Sequence, residues 1–206
     1  HLGLGPYADR PLSRWDEAFV PMRLRDSVRE VRLADGRPLV LSEEILLPHR
    51  LVPPRPEAPQ WRARYALLGL ALAIGALWLG SRRPRLLARL SLGLWLLCGL
   101  AGLGLLALWG LTTHVAAHGN ENLLLFSPLA LLLLPGTLAL ARGRAPSHRY
   151  LWWLRLVLAS AAMALFLKFL PFRIQANGDW IVLMLPLLAA LTLRLGRQAR
   201  QAARTD

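Results

Sequence analysis

The chain has 206 residues, 55% of them hydrophobic, with a formal net charge of +13. Apolar sequence gathered into runs near membrane-spanning length excludes an ordinary soluble domain. Lys168 is the only lysine, and the arginines cluster between apolar runs, the pattern of a membrane protein rather than of a nucleic-acid binder.

Residues 1–52 read as the trailing part of a larger domain. The polar stretch up to Arg64 holds 11 Arg and 9 Asp plus Glu, close to balance. Ser13 followed by Asp16 predicts a capping-box start. Pro21 interrupts, and 22–31 can form a second short helix. Two β-prone runs flank Asp35-Gly36, a hairpin signal. The segment is too small for an independent core, so it is expected to be a short α+β extramembrane piece. Residues 53–64 are a stiff Pro-rich linker. The chain opens at His1 with no signal-peptide pattern ahead of its polar segment, so it reads as a piece of a longer protein.

Five apolar spans follow, at about 65–80, 86–111, 122–141, 150–172 and 180–195, each near the ~20 residues a bilayer helix needs. The fold class is therefore an all-α polytopic membrane protein with five transmembrane helices over 65–196 and a basic cytoplasmic tail at 197–206. Three connections, "SRRPRLLAR", "ARGRAPSHR" and "RLGRQARQAAR", hold 11 Arg and no acid; the alternate two, "TTHVAAHGNEN" and "PFRIQANGDW", hold one Arg and two acids. The positive-inside rule then puts the N-terminal segment outside the cytoplasm and the C-terminus inside it. Trp61, Tyr65, Trp78, Trp109, Tyr150, Trp152, Trp153 and Trp180 fall near span ends and read as interfacial belts. Cys98, the only cysteine, reads as a small buried hydrophobe. "GLAGLG" in the second span permits close helix approach, though glycine is also simply common in membrane helices.

Polar residues gather in "THVAAHGNENLLLFSP", residues 113–128. His114 and His118 would share one face of a helix, but two histidines without a third ligand do not specify a metal site. No metal and no cofactor are expected. Asn120 or Asn122 can cap the third span, turning that helix's positive end toward the interface, where a headgroup or an oxyanion would be stabilised. The plain alternative is a turn and a cap. Pro128 and Pro135 are expected to kink the third span and open a hollow below this loop. Arg155 and Lys168 can snorkel to opposite surfaces, and Lys168 with Arg173 can meet lipid headgroups.

The run "DRPLSRWDEAFVPMRLRDSV", the Asp-Gly turn, the Pro-rich linker and five spans with "THVAAHGNENLLLFSPL" opening the third resemble the Lnb-type inner-membrane proteins. The most specific element is His114, Asn120, Asn122, Leu123, Leu124 and Pro128. The resemblance implies a five-helix membrane domain paired with a periplasmic papain-like domain, and an activity in lipoprotein N-acylation. It implies a Cys–His pair for acyl transfer through a thioester, which this chain does not supply, because Cys98 sits within a span. The nucleophile is therefore expected in the missing N-terminal periplasmic domain. His114, His118, Asn120, Glu121 and Asn122 become supporting residues of an acyl site, with Lys168 and Arg173 at the headgroups. The partners implied are membrane phospholipids, diacylated lipoproteins and the periplasmic domain of the same chain, with no nucleic acid. Two rival readings are a non-catalytic multi-spanning anchor for an exported domain and a small transporter; the spans show no buried acids or inverted repeat that would favour the transporter.

Overall fold

The computed structural model describes residues 3–46 and 60–205. Most of the Pro-rich linker, 53–59, lies outside the described residues. The chain divides into two units, Arg10–Pro59 and the remainder.

In the smaller unit α1 (Arg14–Glu17) opens with the expected capping box. The Asp16 amide donates to Ser13 Oγ at 3.1 Å, and the Ser13 amide donates to Asp16 Oδ2 at 3.2 Å. The Ser13 hydroxyl, which donates to Asp16 Oδ2 at 2.6 Å, and then the Ser13 amide hold the Asp16 carboxyl below its ordinary range. Helix α2 (Pro21–Glu30) starts on Pro21, whose fixed φ suits a first helical turn. The turn after it places Gly36 at φ +85°, where only glycine is unstrained. Among the described residues no strand forms; the expected β part is a single isolated bridge, Arg32 to Pro38. The bridge is held by two bonds on either side of Pro38, from the Leu33 amide to the Arg37 carbonyl at 2.8 Å and from the Leu39 amide to the Val31 carbonyl at 3.0 Å. The expected α+β character is not shown: the described part of the unit is two short helices and one turn.

The larger unit contains five helices or helical segments long and apolar enough to cross a membrane. They are α3 (Arg62–Arg82), α4 (Pro84–Leu111), a broken third segment ending in α5 (Leu134–Ala141), α6 (Tyr150–Phe166) and α7 (Gly178–Ala202). Leu67, Leu97, Leu100 and Leu111 are exposed, a surface that lipid tolerates and water penalises. The buried residues form one cluster spanning α3 to α7, with Trp95, Leu133, Leu154 and Leu195 at its centre.

Close approach shapes this core. Pro186 lies inside α7 and cannot donate to the Val182 carbonyl. Gly69 of α3 packs on that carbonyl; a Cβ there would sit 2.5 Å from it. On α4, a Cβ at Gly102 would run into the Phe126 carbonyl and Pro128, whereas one at Gly104 would meet nothing. The "GLAGLG" run is thus a packing feature at Gly99 and Gly102 and not at Gly104. Tyr150, expected at the interface, is buried: its ring packs on Gly136, and its hydroxyl lies 2.8 Å from Thr137 Oγ1. A satisfied hydroxyl removes the reason for it to sit in water.

The third segment is not a kinked helix but a succession of short pieces. It runs through 3₁₀ turns at Glu121–Leu124 and Pro128–Leu133 into the eight-residue α5. Pro128 and Pro135 each stand in the first turn of a new piece, where a missing amide costs nothing. From Pro128 to Ala141 the helical length is about 24 Å, less than a ~30 Å apolar slab. Residues 120–127 consequently lie near or within the edge of that slab, where irregular backbone survives only if protein satisfies it.

Candidate functional site

The residues that satisfy this backbone form a polar cluster at the end of the bundle where α4 and α6 finish and α3 and α7 begin. Asn120 is the cap of the 3₁₀ turn, its Oδ1 accepting from the Asn122 amide at 3.0 Å. The Glu121 amide donates to Gln175 Oε1 at 2.7 Å. Gln175 Nε2 donates to Asn120 Oδ1 at 2.8 Å and to the Leu4 carbonyl at 3.1 Å. Ser160 Oγ of α6 donates to the Leu124 carbonyl at 2.9 Å. Asn120, Glu121, Asn122 and Gln175 are all buried, Asn122 completely.

Glu121 is the charged member. Its side chain is 1% exposed and is paired with Lys168 Nζ and, at 3.2 Å, with Arg173 Nε. Lys168 also donates to the Gln175 carbonyl at 2.8 Å. A carboxylate at this depth is costly unless paired and hydrogen-bonded. Two cations meet it, Lys168 by a hydrogen bond and Arg173 at ion-pair distance only, so the triad by itself keeps a surplus of one positive charge. Arg173 carries that surplus toward the surface, its side chain 37% exposed. Lys168 therefore does not simply snorkel outward, and the spans' surroundings do hold a buried acid.

The two histidines are placed differently. His118 Nε2 lies 3.1 Å from the Thr112 carbonyl and is half-buried. The His114 residue is exposed, and its amide faces Thr112 Oγ1 at 3.4 Å. Only a three-residue 3₁₀ turn, Val115–Ala117, separates them, so they do not share a helical face. No group of three His, Cys, Asp or Glu side chains suited to a metal occurs among the described residues.

A strap from the chain's start crosses the same end. The Gly5 amide donates to the Ala116 carbonyl at 2.7 Å, and Asp9 Oδ2 accepts from the Ala176 amide at 2.8 Å. Gly5 packs on the His118 carbonyl so closely that a Cβ would collide with it. Sequence reasoning missed Gln175, the strap and Asn177. Asn177 stands at the N-cap position of α7 but makes no side-chain cap bond: its side chain is fully buried, and neither of its polar atoms has a hydrogen-bond partner among the described residues. Asn177 carried a signal, since Asn ahead of an apolar run marks a helix start. Gln175 carried none, because its bonds span 54 to 171 positions of sequence.

Residues 63–205 match the family model described as the Lnb transmembrane domain. No curated protein and no solved structure matches the chain.

Proposed function

The chain belongs to the Lnb transmembrane-domain family, and from that premise we propose that it is the membrane half of a lipoprotein N-acyltransferase. In this reading it anchors a periplasmic catalytic domain and offers the Asn120–Asn122 loop as the floor of the acyl site. The distribution of arginines favours a periplasmic face for this loop, because the other end of the bundle holds the Arg-rich connections. The inner membrane of a bacterium is the matching location. The nucleophile belongs to the periplasmic domain. His114, His118 and the Glu121 cluster support it.

One observation carries this reading: a buried carboxylate held by two cations at one end of the bundle, one of them reaching the surface. A plain turn needs caps, but it does not need a buried ion triad, whose desolvation is rarely recovered in stability. The surplus charge at Arg173 suits the phosphate of a donor phospholipid or a developing oxyanion.

The test uses the full-length protein and follows lipoprotein N-acylation in cells. His114→Ala changes an exposed group, and Arg173→Gln leaves Glu121 its hydrogen-bonded partner Lys168, so membrane levels should stay normal. N-acylation should fall about a hundredfold, the scale of losing an acid–base or oxyanion-stabilising group. Normal acylation in both variants would reduce the loop to a cap. The rival, a non-catalytic anchor, draws support from how many of the cluster's side chains serve the backbone. Replacing all five spans with an unrelated anchor separates the two readings: an active chimera means a tether.

A further inference from the structure

At the opposite end of the bundle from Glu121, α3, α4 and α7 enclose an apolar groove of about 390 Å³. Gly75 and Leu79 of α3, Leu87 and Leu94 of α4, and Leu187 and Leu191 of α7 are among its walls. A Cβ at Gly75 would meet nothing within 4 Å, so α3 and α4 leave this space open. Its lower end is basic. Arg82 and Arg83, both exposed, close the turn from α3 to α4. Arg194 lies one turn beyond Leu191, and its stem fills the position beside Gly80, where a Cβ would be 2.9 Å from Arg194 Cγ. Arg194 Nε is buried without a hydrogen-bond partner, and no acid pairs with Arg194 among the described residues. The N-terminus of the 28-residue α4 opens at the same turn, with no side-chain cap.

We infer that this groove is a binding site for an anionic phospholipid of the leaflet at the arginine end. One acyl chain lies along the α3–α4 cleft, and the phosphate meets Arg194, Arg82 and Arg83. Charge complementarity selects the occupant: the Arg194 stem packs at Gly80 beside the groove residue Leu87, and Arg82, Arg83 and the N-terminus of α4 follow within four residues of Gly80 along the chain. A neighbouring transmembrane helix would fill the cleft but would leave that charge unanswered.

Native mass spectrometry of the full chain, purified in mild detergent, tests this with phosphatidylglycerol and phosphatidylethanolamine as competing probes. The wild type should retain one phosphatidylglycerol in preference to phosphatidylethanolamine. Gly75→Leu should lose both lipids, with Ala71→Phe as the second groove-filling variant if the first is not monodisperse. Arg194→Gln should keep lipid while its preference for phosphatidylglycerol drops about fivefold, the effect of one interfacial cation. Gly104→Leu, on the far half of α4, should behave as wild type. Equal retention of the two lipids, or unchanged retention after groove filling, overturns the inference. So does displacement of phosphatidylglycerol by millimolar inorganic phosphate, or a change of oligomeric state in Gly75→Leu, which would make the cleft a helix interface.

Discussion

Arg142–Arg149 and Thr112–Ser127 lead out of and into the same membrane segment. The first holds three arginines and a histidine, all exposed, and turns on Gly143 at φ +76°. The second buries Asn120, Glu121, Asn122 and Ser127 and turns on Gly119 at φ +64°. Water solvates the polar groups of the first connection, so its side chains are nearly free to vary. In the second, every charge and many backbone groups need a partner from elsewhere in the chain: Gln175, Lys168, Arg173, Ser160 and Leu4. A polar connection at the membrane edge is cheap when it reaches water and demanding when it does not.

The sharpest way to break this contrast is Lys168→Met. It leaves the Glu121 carboxylate, 1% exposed, with Arg173 as its remaining cation. The loss should be about 3 kcal/mol, the low end for opening a buried pair, since Lys168 is itself part-exposed. Adding Glu121→Gln should restore at least half of that, because the uncompensated charge is gone. Chemical unfolding in detergent of the two variants and the wild type reads this coupling. Additive losses would mean that the ion pair is incidental.

Gly102→Ala comes next. Its new methyl would press on the Phe126 carbonyl and Pro128, the backbone that leaves the buried connection. A cost of about 2 kcal/mol is expected for overpacking against backbone that cannot move aside. Gly104→Ala, two residues along the same helix and facing open space, should be neutral or slightly stabilising through helix propensity. Equal melting temperatures for the two variants would remove the close contact between α4 and the third segment.

What could be read from sequence divides along the same line. The five spans were legible because hydropathy is a local property: 65–80 and 150–172 anticipate α3 and α6 to within a few residues at most ends. Asn120 as a cap and Ser13 with Asp16 as a capping box were legible for the same reason. The break in the third segment was half-visible. Pro128 and Pro135 announce an interruption, but their positions in first turns, rather than at kinks, depend on Ser127 and on packing against Gly102. The Glu121 triad was not legible. Lys168 and Arg173 lie 47 and 52 positions beyond Glu121, and each alone looks like an ordinary snorkelling or interfacial cation. Tyr150 misled for the opposite reason: its place beside a span end is local, while its burial rests on Gly136 and Thr137.

The smallest effects on the folded state are expected at the exposed connection. Arg144→Gln or Arg149→Gln alone should change unfolding free energy by less than about 0.5 kcal/mol, because both side chains are exposed and neither has a partner to lose among the described residues. Their contribution is to orientation, and that is collective. Replacing Arg142, Arg144 and Arg149 together removes the positive charge of this connection and should raise the fraction of chains inserted the wrong way round. Reporter fusions at the C-terminus measure that fraction. Uniform orientation in the triple variant would show that the remaining arginines, Arg82 to Arg89 and Arg194 to Arg204, suffice. Loss of folded stability in the single variants would instead make the exposed connection as dependent on the protein as the buried one, and the contrast between the two would collapse.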